Sequence, residues 1–137
     1  MKRALVCSVA AAMLLLACRP ASPPAVTIDF PTAGDTVRGG VVHLVLTATG
    51  VELAPAADER RGTAHHHLFL DVDTGPLDQK IPAGVTGIIH LGRAQPKFHW
   101  TNVPPGTHRI IAVLADWQHV PLAGAATDTV RFVVQPR

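Results

Sequence analysis

From Val41 to Thr49 the chain alternates. Val42, Leu44, Leu46 and Ala48 fall on one side, and His43, Val45, Thr47 and Thr49 on the other. A period of two is the side-chain period of a strand, so this run predicts a half-buried β-strand. His65 to Val72 repeats the pattern, with Leu68, Leu70 and Val72 on one face and His65, His67, Phe69 and Asp71 on the other. Asp128 to Val134 sets Val130, Phe132 and Val134 together. Thr107 to Ala115 is apolar on both sides, which leaves its inward face open between Ile110/Ala112/Leu114 and Ile111/Val113/Ala115. Val26 to Phe30, Ile88 to Leu91 and Lys97 to Val103 supply three more β-rich runs.

Gly and Pro punctuate the intervals. Gly50 to Thr63 reads as a polar loop, Asp73 to Gly87 as a long connection, and Pro104-Pro105-Gly106 as a turn. No stretch after Val26 carries the 3.6-residue period of an amphipathic helix. Seven strands in about 110 residues predict an all-β chain, an immunoglobulin-like β-sandwich of about seven strands following an N-terminal signal segment. Leu44, Leu46, Leu70, Ile111, Val113 and Phe132 are the expected core.

The chain is 137 residues long, enough for one domain. Its first residues read as an address. Met1-Lys2-Arg3 is a positive start, and Ala4 to Ala17 is apolar apart from Cys7 and Ser8. At 14 residues this run is shorter than the roughly 20 needed to cross a bilayer, and it fits a secretory signal peptide. Leu15-Leu16-Ala17-Cys18 resembles the bacterial lipoprotein box, in which the Cys is lipidated and becomes the new N-terminus. The alternative is ordinary cleavage near Ala17 or Ala21. The expected division is a lipoprotein-type signal over 1–17, a lipidated Cys18 with a Pro-rich tether over 18–25, and a His-rich sandwich over 26–137. This chain would be exported across the inner membrane. It would stay lipid-anchored in the cell envelope facing the periplasm, its membrane contact made by acyl chains.

Charge excludes one class of partner. Without Lys2 and Arg3, ten basic residues face ten acidic ones, a net charge of 10 − 10 = 0. A nucleic-acid binder needs a basic stripe to replace phosphate counterions. Sulfur narrows the chemistry further. Cys7, Cys18, Met1 and Met13 all lie in the first 18 residues, so the sandwich has no disulfide, thiolate site or thiol nucleophile. All eight histidines lie in the sandwich.

On a strand His65 and His67 stand on one face while His66 points to the other. A short strand returning antiparallel along His65–Val72 brings His90 to its start, and Thr107–Ala115 running antiparallel brings Asp116 and His119 to the same place. His65, His67, His90 and His119 are the candidate metal ligands, with His66, Asp116 and His108 in reserve. His108 reads more simply as a turn residue, and His43 and His99 have no assigned partner. Imidazole without sulfur suits Zn or Cu(II) ahead of Ni(II) or Fe(II). Because imidazole must be neutral to ligate, affinity is expected to fall as pH drops through roughly 6.5. The bland alternative is a structural polar network, and acid–base catalysis is a third use of the same rings. No phosphate loop, nucleophile elbow or paired-Cys motif is present.

The ordered set Gly62-Thr-Ala-His65-His66-His67-Leu68, Asp71-Val-Asp73, Ile89-His90-Leu91-Gly92, Pro104-Pro105-Gly106-Thr-His108 and Ala115-Asp116-Trp-Gln-His119-Val-Pro121 resembles the bacterial domain of unknown function family 4399. The resemblance runs from about Thr27 to Val134. It implies a small secreted or lipid-anchored domain in which the His set matters, and it supplies no reaction. Arg93-Ala94-Gln95-Pro96 replaces a Gly-Gln pair of the family pattern, and Leu122 stands where a further His is common. The leading expectation is a lipid-anchored metal-binding sandwich with no catalytic residues assigned. Against it stand a non-metal envelope interaction module and a metal-dependent enzyme, for which Asp116 is the one named acid or base.

Overall fold

The computed structural model describes residues 22–137. The signal segment, Cys18 and the first part of the tether lie outside the described residues. Nine strands follow: β1 (Ala25–Phe30), β2 (Thr36–Arg38), β3 (Val41–Thr49), β4 (Glu52–Leu53), β5 (Thr63–Leu70), β6 (Ile88–Leu91), β7 (Lys97–Thr101), β8 (Gly106–Ala115) and β9 (Asp128–Gln135). The seven expected strands are all present. The two additions, β2 and β4, are three and two residues long, too short to carry an alternation. No helix among the described residues is long and apolar enough to cross a membrane.

The strands form two sheets. One has the order β1-β3-β7, and the other β2-β9-β8-β5-β4 with β6 also paired to β5. Between them lie Val42, Leu44 and Leu46 of β3, Leu68 and Leu70 of β5, Ile110, Ala112 and Leu114 of β8, and Phe132 of β9. The open question about β8 is thereby answered: Ile110, Ala112 and Leu114 face the sandwich interior. Val113 and Ala115 are buried on the opposite face, with Phe69 and Ile81. Both faces of β8 are covered, which is why its sequence is apolar on both. Of the expected core, Leu44, Leu46, Leu70, Val113 and Phe132 are buried. Ile111 is a correction: it lies half-buried on the outer face, at the margin of the segment that covers it.

That cover is the connection after β5. Val72 does not share a face with Leu68 and Leu70 as the alternation predicts. β5 ends at Leu70, and Asp71 adopts φ 59°, which reverses the alternation and turns Val72 onto the outer cluster beside Phe69. Asp tolerates this left-handed conformation. Its backbone and carboxylate both hold β8: Asp71 N donates to Arg109 O at 2.9 Å, and Oδ1 accepts from Arg109 N at 2.7 Å.

Candidate metal centre

The outer face of the larger sheet carries the histidines. β5 supplies His65 and His67, two residues apart and on one side. β6 pairs antiparallel with β5 in a register that sets His90 opposite His67. β8 pairs on the other edge with Ala115 opposite His65, so the chain leaves β8 at the cluster. The next five residues form a turn organised by one carboxylate. Asp116 Oδ1 accepts from Gln118 N at 2.9 Å and from Val120 N at 3.0 Å, and Asp116 O accepts from His119 N at 2.8 Å. His119 sits in this turn at φ 66°. Its carbonyl accepts from Ile81 N at 2.8 Å, so the covering connection is pinned to the turn that presents the ring.

His65, His67, His90 and His119 thus converge from two strands and the turn that follows a third. Each offers one nitrogen, and the four nitrogens lie within 4.8 Å of one another. Ring centroids are 4.7 Å apart for His90 and His119, 4.8 Å for His65 and His90, and 4.9 Å for His65 and His67. His65 and His67 are buried, His119 is half-buried and His90 is exposed. The cluster is open on one side and closed by the sheet on the other.

Burial pushes the His67 imidazole down to about 3, with the neighbouring His65, His90 and His119 adding repulsion to its charged form. His65 is lowered to about 4, again chiefly by burial and then by His90 and His119, while the Asp116 carboxylate opposes the shift. Burial, then His119, also lowers His90. Near neutral pH the buried pair is therefore unprotonated and ready to ligate.

The reserve residues lie elsewhere or do other work. His66 points into the sandwich core, fully buried, and neither ring nitrogen has a hydrogen-bond partner. Burial lowers it, and the Gln95 backbone, near the ring but outside hydrogen-bond geometry, opposes this. Asp116 is outside the convergent group, its Oδ1 occupied by the turn amides. His108 is at the far end of β8, with Nδ1 2.7 Å from Asp71 Oδ2 and Nε2 2.8 Å from the Pro104 carbonyl. Both partners are acceptors, so this ring ties a turn to β5 and has no nitrogen to spare. His43 and His99, unpaired in the sequence reading, face each other across β3 and β7 with centroids 4.4 Å apart.

Two contributors escaped the sequence reading. Ile81 closes the outer cluster and pins the His119 turn. Gly92 leaves room for the His90 ring, since a Cβ there would lie 2.6 Å from His90 Nε2. Its place two residues after His90 was the signal available.

Residues 44–135 match the family described as "Domain of unknown function (DUF4399)". The chain belongs to that family. The match spans β5, β6, β8 and the His119 turn, hence every member of the cluster, and it begins at Leu44 rather than near Thr27. No curated protein matches the chain. Among solved structures it is similar to the fibronectin(III)-like modules of Clostridium thermocellum CbhA, at 17% identity and TM-score 0.51, covering 81% of this chain and 97% of that one. It is also similar to an engineered protein at 13% identity and TM-score 0.52, covering 85% of this chain and 21% of that one. At these identities the likeness concerns the fold: an immunoglobulin-like sandwich.

Proposed function

We propose that this domain binds a divalent transition metal, zinc or copper(II), through His65, His67, His90 and His119, in a lipid-anchored protein of the bacterial cell envelope. The observation that carries the reading is the convergence of four imidazole nitrogens within 4.8 Å from separate parts of the chain. A structural network would pair its ring nitrogens. Here the single contact at hydrogen-bond distance among the four rings is His65 Nε2 to His67 Nε2 at 3.0 Å. Four imidazole nitrogens around a shared centre, unpaired among themselves but for that one contact, gain a common partner in a cation. Adjacent nitrogens bound at about 2.0–2.1 Å lie roughly 2.9 Å apart in a square plane and roughly 3.4 Å in a tetrahedron. The His65–His67 spacing suits the first and is close to the second.

The deciding experiment is elemental analysis of the purified domain followed by zinc and copper titration. The expected result is one metal per chain, lost in His65→Ala/His67→Ala with the fold retained and unaffected by His43→Ala or His99→Ala. Binding no tighter than roughly 1 mM would overturn the reading and leave a polar network in an envelope interaction module.

A further inference from the structure

Beside the histidines lies a cavity of about 330 Å³, a size that suits a small organic ligand. His67, His90 and His119 form one wall, Ile81 and Ile88 line it with apolar surface, and Lys80 stands in its lining. The segment 82–84 of the covering connection completes it. Three of the four convergent rings therefore face a single recess, and His65 alone does not line it.

Charge gives that recess a preference. Imidazole ligates as a neutral group, so a divalent ion held by these four rings keeps its full charge of +2. A site's electrostatics are dominated by such an ion. The carboxylate nearest in sequence, Asp116, binds the turn amides through Oδ1 and is not one of the convergent donors, and Lys80 lines the cavity. Four imidazoles close a tetrahedral zinc site, but copper(II) prefers tetragonal coordination and keeps axial positions beyond four ligands in a plane. On copper(II) an axial position is where an exogenous anion can bind. The wall chemistry selects its shape: one ammonium for a single negative charge, and aliphatic surface for a short apolar body.

We propose that the metal-loaded centre takes a small aliphatic monocarboxylate, its head on the metal and toward Lys80, its chain against Ile81 and Ile88. This inference rests on the metal reading above. The test loads the domain with copper(II) and follows its electron paramagnetic resonance and visible spectra during titration with acetate, butyrate and azide. Butyrate should bind about tenfold more tightly than acetate, because two further methylenes are buried. Lys80→Gln should weaken both carboxylates severalfold. Ala83→Phe, which fills the cavity from the covering segment, should erase the advantage of butyrate over acetate. Each variant is loaded with copper first, so loss of metal and loss of anion are read separately. Failure to take up copper at that first step overturns the metal reading and this proposal with it. A copper spectrum that forms but does not respond to carboxylate overturns the proposal alone. Equal affinity for azide, acetate and butyrate also overturns it, since the metal would then accept any anion without help from the cavity.

Discussion

Gly92 is half-buried, and its φ lies outside the left-handed region, so its backbone accepts a side chain. The obstacle to one is the His90 ring, whose Nδ1 would be 3.1 Å from an added Cβ. In Gly92→Ala the exposed His90 ring turns away, which costs the fold little and the ligand set one member. The expected result is a metal affinity lower by about ten- to a hundredfold, the loss usual when a group that orients a ligand is removed. Calorimetric titration checks it, with an unchanged melting temperature showing that the fold is intact. The buried pair makes a second prediction at this scale. In the unfolded chain each imidazole takes a proton near about 6.5. In the folded, metal-free domain His65 resists protonation down to about 4 and His67 down to about 3. Across that window the unfolded state holds more protons, so stability rises with pH and is lost as pH falls from about 6.5 toward 3. Melting temperature measured against pH should show this slope, and His65→Ala/His67→Ala should flatten it. A double variant as acid-sensitive as the parent would show that other groups govern the decline.

At the scale of elements, the alternation in β3 and β9 was legible because one face of each is wet. The triple His was legible for a different reason, since β5 is buried throughout: strand geometry alone separates His66 from its neighbours. The cluster followed from antiparallel pairing of β5 with β6 and β8, which needs the order of the strands and no side-chain detail. β8 was illegible because both its faces are dry, and period two carries no information where every position is apolar. Val72 was misplaced because a single left-handed residue, Asp71, inverts the count, and an Asp after a strand does not announce that. The pairing of His43 with His99 was missed because it requires the register between two distant strands. The two faces of β8 also differ in what they contribute to stability. Leu114 is 1% exposed and packed between the sheets, whereas Ile111 is half-buried at the outer margin. Leu114→Ala should cost about 2–5 kcal/mol, as buried Leu truncations do, and Ile111→Ala distinctly less. Denaturant midpoints of the two variants check this, and equal losses would contradict the assigned faces.

At the scale of the whole molecule, the chain enters the sandwich at the end that holds the histidines. The Pro24 carbonyl accepts from Ala126 N at 2.9 Å, and the Ser22 and Pro23 carbonyls lie against Gly50, just ahead of β4, which pairs with the first residues of β5. We propose that Cys18 carries the lipid. The four steps of chain from Cys18 to Ser22 then span at most about 14 Å when extended, so the His end is held close to the bilayer. Two tryptophans report on this. Trp117 belongs to the turn between Asp116 and His119, whereas Trp100 packs against His108, at the start of β8 and the opposite end of the sandwich. The full-length protein should partition into detergent, and Cys18→Ser should release it. In vesicles bearing a nitroxide on the lipid headgroup, Trp100→Phe, which leaves Trp117, should be strongly quenched. Trp117→Phe, which leaves Trp100, should be nearly unaffected. Wild-type protein recovered soluble with its N-terminus at Ala21 or later would remove the anchor, and equal quenching of the two tryptophans would remove the orientation. If both hold, an ion reaching the four imidazoles must pass between the domain and the membrane surface, where anionic headgroups concentrate divalent cations ahead of the site.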